Sequence, residues 1–167
     1  MSAVSLRPYM PADAERCAAI FRASVEGLAI EDYSAEQCAA WAARADDPDL
    51  AKRLAGGLTL MALVDGDPAG FASLKGAETI DMLYVDPDFV RRGVATALVD
   101  ALVRLAAARG AKTLASEVSD TARPLFERLG FQAQRRNLIP LDDEWLANTT
   151  MTKRLAPQGD ANEPVRH

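Results

Sequence analysis

Along the chain, apolar residues recur first at helical spacing and then at alternating spacing, and the changeover falls at Gly56-Gly57. Before it, residues 4–7 alternate as a short first strand. Pro11 then opens an alanine-rich stretch in which Ala14, Cys17, Ala18, Phe21 and Val25 share one helical face. Gly27 marks its end, and residues 28–33 read as a loop. Ser34 is the N-cap of a second helix over residues 35–44, with Gln37 completing a capping box. The run Asp46-Asp47-Pro48-Asp49 interrupts the chain, and residues 50–54 have room for one or two further helical turns.

Beyond Gly57, Leu58–Val64 and residues 69–74 flank the tight turn Asp65-Gly66-Asp67-Pro68, and Thr79–Val85 follows as a third strand. Residues 94–109 form a helix with Val94, Leu98, Leu102 and Leu105 on one face and Gly110 as its stop. A strand at 113–118 is followed by a short helix at 120–129, whose first turn tolerates Pro124. Strands at 131–136 and 149–155 complete the order, with Trp145 in the loop before the last. The pattern predicts an α/β fold with a mixed sheet, as a single domain over residues 1–155. The polar, proline-bearing residues 156–167 are expected to be a disordered tail.

Composition narrows the chemistry. A chain of 167 residues suits one domain, and 49% hydrophobic with 26% charged residues is ordinary for a globular protein. A formal net charge of −5 argues against a broad nucleic-acid surface, yet permits an acidic pocket for a cationic substrate. The only histidine is His167, which removes Ser-His-Asp, Cys-His and His-ligated metal arrangements. Cys17 and Cys38 lie among alanines and read as buried thiols. With no apolar run of signal-peptide or membrane-span length, the chain is expected to be cytoplasmic, with no membrane partner.

The stretch LYVDPDFVRRGVATALVDAL carries the chemistry. A strand ends at Asp86-Pro87 and a helix begins near Gly93, where first-turn amides have no helical partner and the helix dipole adds positive charge. The small residues Gly93 and Ala95 let an oxyanion approach the main chain, and Arg91 and Arg92 add guanidinium groups. The result is a metal-free pyrophosphate site. It is neither a Walker loop nor a Gly-x-Gly-x-x-Gly fingerprint.

DMLYVDPDFVRRGVATALVDAL resembles the central motif of the GNAT superfamily of N-acetyltransferases, and LFERLGF resembles its downstream helix-to-strand signature. Within that superfamily, DMLYV followed by ARPLFERLGF is similar to a poorly characterised bacterial subgroup. The resemblance implies a mixed, mostly antiparallel central sheet flanked by helices, and acetyl-coenzyme A as cosubstrate without a metal. It implies that Leu83, Tyr84 and Val85 hold the pantetheine arm through main-chain bonds, and that the amides of Arg91, Arg92, Gly93, Val94, Ala95 and Thr96 receive the pyrophosphate. Ser119 stands where relatives often have asparagine, and Val90 where they usually have glutamine or arginine. Phe126 stands where many have the tyrosine that protonates the departing thiolate, so either another group, Tyr84 or a water, supplies that proton or the thiolate leaves unaided.

An amine attacks a thioester only in its neutral form, so a carboxylate acting through water is the expected base. Asp81, Glu117 and Glu78 are the candidates, and Asp81 leads because an acid within the apolar run Ile80–Val85 is costly unless it faces a cleft. Alternation groups Asp81 with Leu83 and Val85. The segment GLAIEDYSAEQ is expected to border the acceptor, with Glu26, Glu31 and Asp32 attracting a cationic amine and Tyr33 or Trp41 packing on its apolar part. Trp145 either closes the pocket or caps the core. The leading expectation is acetyl transfer to a small primary amine; a protein N-terminus or lysine, and a non-catalytic acyl-coenzyme A sensor, are the alternatives. A homodimer is compatible with the resemblance, since dimers are common among relatives.

Overall fold

The computed structural model describes residues 3–156, so all of the expected tail but Ala156 lies outside the described residues. Strand β1 (Val4–Pro8) leads into a single 3-10 turn at Pro11–Asp13, then helix α1 (Ala14–Leu28). Arg7 donates to both carboxylate oxygens of Asp13 at 2.8 and 2.9 Å, and Asp13 also accepts from the Met10 amide at 2.8 Å. These bonds hold the Asp13 carboxyl below its ordinary pKa, the Arg7 hydrogen bond contributing most. Gly27 does not end α1, which runs on to Leu28. A Cβ at Gly27 would meet Pro87 Cγ at 2.7 Å, so this glycine serves close approach of the helix to the later loop.

Helix α2 (Ala35–Ala42) has the expected reciprocal cap: the Gln37 amide donates to Ser34 Oγ at 3.0 Å and the Ser34 amide to Gln37 Oε1 at 2.9 Å. It tightens into a 3-10 turn at Ala43–Asp46, and the short α3 (Asp49–Gly56) follows. Strands β2 (Leu58–Val64), β3 (Asp67–Lys75) and β4 (Thr79–Val85) form an antiparallel meander. Helix α4 (Val94–Ala108) crosses back to β5 (Thr113–Ser119), which lies parallel to β4, as a helical crossover requires. Helix α5 (Arg123–Arg128) leads to a long hairpin of β6 (Gln132–Leu141) and β7 (Glu144–Arg154).

The sheet order is β1-β2-β3-β4-β5-β7-β6, with every neighbouring pair antiparallel except β4 and β5. One core lies between the sheet and α4, with Leu98, Leu102, Leu114 and Met151 fully buried. The other lies under α1 to α3, around Ile20, Phe21, Leu54, Met61 and Phe71. Truncating a side chain at positions buried like these costs about 2–5 kcal/mol. Among the described residues no helix is long and apolar enough to cross a membrane.

Two departures from regular pairing shape the centre of the sheet. In β4, Ile80 faces Leu74 and Met82 faces Ser73, leaving Asp81 unopposed in a bulge. Ile80 therefore joins the α4 core while Met82 joins the α1–α3 core. Strict alternation would have put both on one side. The grouping of Asp81 with Leu83 and Val85 fails for the same reason: its carboxylate turns to Arg53 of α3 at 3.2 Å. In addition, β4 and β5 pair only at Thr79–Ala115 and Ile80–Ser116, and beyond that point they part.

Candidate functional site

The parted strands and the loop that leaves β4 define the site. Asp86 starts the loop by accepting from the Asp88 amide at 2.9 Å, and Pro87–Phe89 forms one 3-10 turn. Arg91 and Gly93 then both adopt positive φ, 63° and 79°, a left-handed conformation costly for arginine and free for glycine. Alternating left-handed residues of this kind turn successive amides to one side. The amides of Val94, Ala95 and Thr96 follow as the first turn of α4, without intrahelical acceptors. A Cβ at Gly93 would meet nothing within 4 Å, so this position needs glycine for its backbone angle rather than for its small size.

Two cavities open from this wedge. The first, about 460 Å³, is lined by Leu83, Tyr84 and Val85, by Arg91, Gly93, Val94, Ala95 and Thr96, and by Ser119 and Phe126. The second, about 470 Å³, lies between α2, α3 and the β6–β7 hairpin. Trp41, Asp81, Tyr84, Glu117 and Ser119 line both, so the two meet where β4 and β5 separate. Phe126 itself is buried, edge-on to Phe131 with ring centroids 4.9 Å apart.

Tyr84 is held by aromatic neighbours at that junction. Its ring stacks on Phe21 at 4.2 Å and 14°, and Trp41 lies edge-on at 6.3 Å. Trp41 Nε1 donates to Tyr84 Oη at 3.2 Å. An indole nitrogen can only donate, so the phenol accepts there and keeps its own proton for another partner. Burial pushes Tyr84 up to about 12, which keeps that proton in place at neutral pH. Burial likewise pushes the Cys17 thiol up to about 12, so it is no ready nucleophile.

Several residues singled out from the sequence lie elsewhere. Arg92 is exposed, its guanidinium 5.8 Å from the Phe89 ring centroid, and does not line the first cavity. Glu78 is exposed in the turn before β4 and lines neither cavity; its carbonyl accepts from the Ala115 amide at 2.8 Å. Glu26, Glu31 and Asp32 are exposed outside both, and Asp32 accepts from Thr121 Oγ1 at 2.9 Å. Tyr33 lines the second cavity, but its hydroxyl donates to the Ala147 carbonyl at 2.6 Å and accepts from the Asp120 amide at 2.9 Å. These two bonds tie β7 to the loop between β5 and α5. Trp145 belongs to β7, is 59% exposed and lines neither cavity. Conversely, Phe21, Arg44 and Arg53 line the second cavity although the sequence pattern marks none of them as a site residue. Only the fold brings α1 and α3 to the wedge.

A sheet that opens between parallel β4 and β5, beside amides presented by a β4–α4 turn, defines an acyl-coenzyme A N-acyltransferase fold. The chain belongs to the GNAT family of acetyltransferases: residues 29–155 match the model of the acetyltransferase (GNAT) domain. It is an acetyl-coenzyme A-dependent N-acetyltransferase. A curated relative, the uncharacterised N-acetyltransferase YafP of Escherichia coli K12, is 35% identical over 158 residues, or 95% of this chain and 99% of the relative. A crystal structure of a GCN5-related N-acetyltransferase from Rhodopseudomonas palustris, also designated aminotransferase class II, is 56% identical. It superposes with a TM-score of 0.90 over 93% of this chain and 98% of its own. The PaiA N-acetyltransferase of Thermoplasma acidophilum, solved with coenzyme A, shares the fold at 16% identity and a TM-score of 0.73, covering 91% of this chain and 99% of that one.

Proposed function

We propose that this enzyme transfers the acetyl group of acetyl-coenzyme A directly to the primary amine of a small molecule. The observation that carries the reading is the common wall of Trp41, Asp81, Tyr84, Glu117 and Ser119 between two cavities, one beside the Arg91–Gly93 turn and one beside α2 and α3. Only there can a thioester from the first cavity meet an amine from the second. The first cavity suits coenzyme A: its amides at Val94, Ala95 and Thr96 lack helical partners, and the unpaired side of Leu83–Val85 offers main-chain groups to an extended arm. Acetyl-coenzyme A supplies the thioester. The second cavity, about 470 Å³ in volume, has room for a small acceptor.

Asp81 and Glu117 are the candidate bases, both reaching the shared wall. One of them takes a proton from the ammonium group through water, leaving a neutral amine. The amine nitrogen forms a bond to the carbonyl carbon and releases its second proton to water, and the carbon–sulfur bond breaks with its electron pair on sulfur. Tyr84 gives that sulfur its phenolic proton, the service that Phe126 cannot perform, and is reprotonated from solvent. Ser119 bonds the cofactor arm through its hydroxyl, a reading supported by its presence in the lining of the first cavity.

The test is release of free thiol from acetyl-coenzyme A with a panel of amines, alongside calorimetric binding of coenzyme A. Turnover with at least one amine is expected, with kcat reduced about ten- to a hundredfold at neutral pH in Asp81→Asn and partly recovered at high pH. Coenzyme A binding without turnover of any amine would point instead to a sensor. An unchanged pH profile in Asp81→Asn would pass the base role to Glu117.

A further inference from the structure

We infer that the acceptor is an amino-carboxylate whose carboxylate is received by Arg44 and Arg53. This rests on the acetyltransfer reading and names the substrate class of its second cavity. The acidic loop expected to attract a simple cation contributes no carboxylate to that cavity: Glu26, Glu31 and Asp32 all lie outside it. Its lining instead holds charges of both signs, Arg44 and Arg53 against Asp47, Asp81 and Glu117. An acceptor with one cationic and one anionic end matches such a lining.

Both arginines have donors to spare. Arg53 gives one Nη to Asp81 at 3.2 Å, and Arg44 gives one Nη to Asp142 at 3.2 Å. The Arg44–Asp142 pair is exposed on both sides, 42% and 58%, and such pairs contribute about 1 kcal/mol or less, so it yields readily to a better partner. Arg44 Nε is buried with no hydrogen-bond partner, an unspent donor on the same guanidinium. Asp47 is not a free competitor, because its carboxylate already accepts from the Asp49 amide at 2.9 Å at the start of α3. A guanidinium is suited to a carboxylate because its planar fork can make two parallel bonds. The amine end then falls towards Asp81 and Glu117, at the wall shared with the first cavity. The rest of the lining mixes apolar Phe21, Leu50, Ile139, Leu141 and Leu146 with polar Tyr33, Ser119 and Asn148.

Matched acceptors give the test. Thiol release is measured with leucine, leucinamide and 3-methylbutylamine, and with phenylalanine, phenylalaninamide and 2-phenylethylamine. The amide has the least basic amine and the largest neutral fraction, so amine reactivity alone favours it. The carboxylate form is expected to exceed both partners in kcat/KM by about tenfold or more, as expected for charge-assisted hydrogen bonds. In Arg44→Gln and Arg53→Gln that ratio should fall towards unity, and Arg44→Lys should keep part of it; thermal melting checks that each variant is folded. A ratio near one in the wild-type enzyme, or a ratio unaffected by both substitutions, overturns the proposal while leaving acetyltransfer standing. No turnover with any amine despite bound coenzyme A overturns both.

Discussion

Replacing Tyr84 by phenylalanine removes one oxygen from the meeting point of the two cavities. The ring keeps its stacking on Phe21, so the fold loses only the bond from Trp41 Nε1 at 3.2 Å. That loss is worth about 1 kcal/mol and should lower the melting temperature by about 2–4 °C. The catalytic effect should be larger. A positioned general acid contributes about a hundredfold or more, but thiolates leave readily, with free thiols near pKa ~8.5, so a fall in kcat of about ten- to a hundredfold is expected. The KM for acetyl-coenzyme A should hold, because main-chain groups rather than the phenol are proposed to hold the arm. Steady-state thiol release between about pH 7 and 10 reads both constants. Because burial pushes Tyr84 up to about 12, the wild-type kcat should show no loss of an acid across that range. The folded phenol lies above its ordinary value, so its stabilising effect is complete below about pH 10 and fades as pH rises towards 12. A Tyr84→Phe enzyme with kcat within about twofold of wild type would refute the proton-donor role.

Two further outcomes concern the frame around the site. Tyr33→Phe deletes both the bond to the Ala147 carbonyl and the bond from the Asp120 amide, and should cost about 2 kcal/mol, or about 4–8 °C in thermal melting. Asp13→Asn breaks the clasp between β1 and α1. The Asp13 carboxyl lies below its ordinary value, so its contribution is present above that value and is lost as pH falls through the folded pKa. Melting curves below about pH 4 should fall more steeply for the wild type than for Asp13→Asn; parallel curves would show that the pair does not stabilise the fold.

Local rules reached some elements and missed others for identifiable reasons. Ser34 and Gln37 announced α2 because a reciprocal cap is a local chemical unit. Thr79–Val85 was legible at both ends because Asp86-Pro87 follows it. The β6–β7 hairpin was cut short: β6 was expected to stop at residue 136 but runs on to Leu141 through Pro140, a residue that argues against a strand except at a sheet edge, where β6 lies. Gly27 was misread because its role is contact with Pro87, sixty residues away in sequence, rather than helix termination. The first cavity was visible in one motif because a strand, a turn and a helix start are contiguous. The second draws on α1, α2, α3, β5 and β7, and its arginines became visible only when those elements met.

The parting of β4 and β5 leaves two strand borders facing each other inside the protein instead of at its rim. Such borders usually invite pairing with a foreign chain. Here α4 and the β4–α4 turn guard the opening, and an extended cofactor arm would occupy it as a surrogate strand. Cofactor occupancy should therefore act as a missing rung of the architecture, raising thermal stability with concentration and slowing amide exchange along Leu83–Val85.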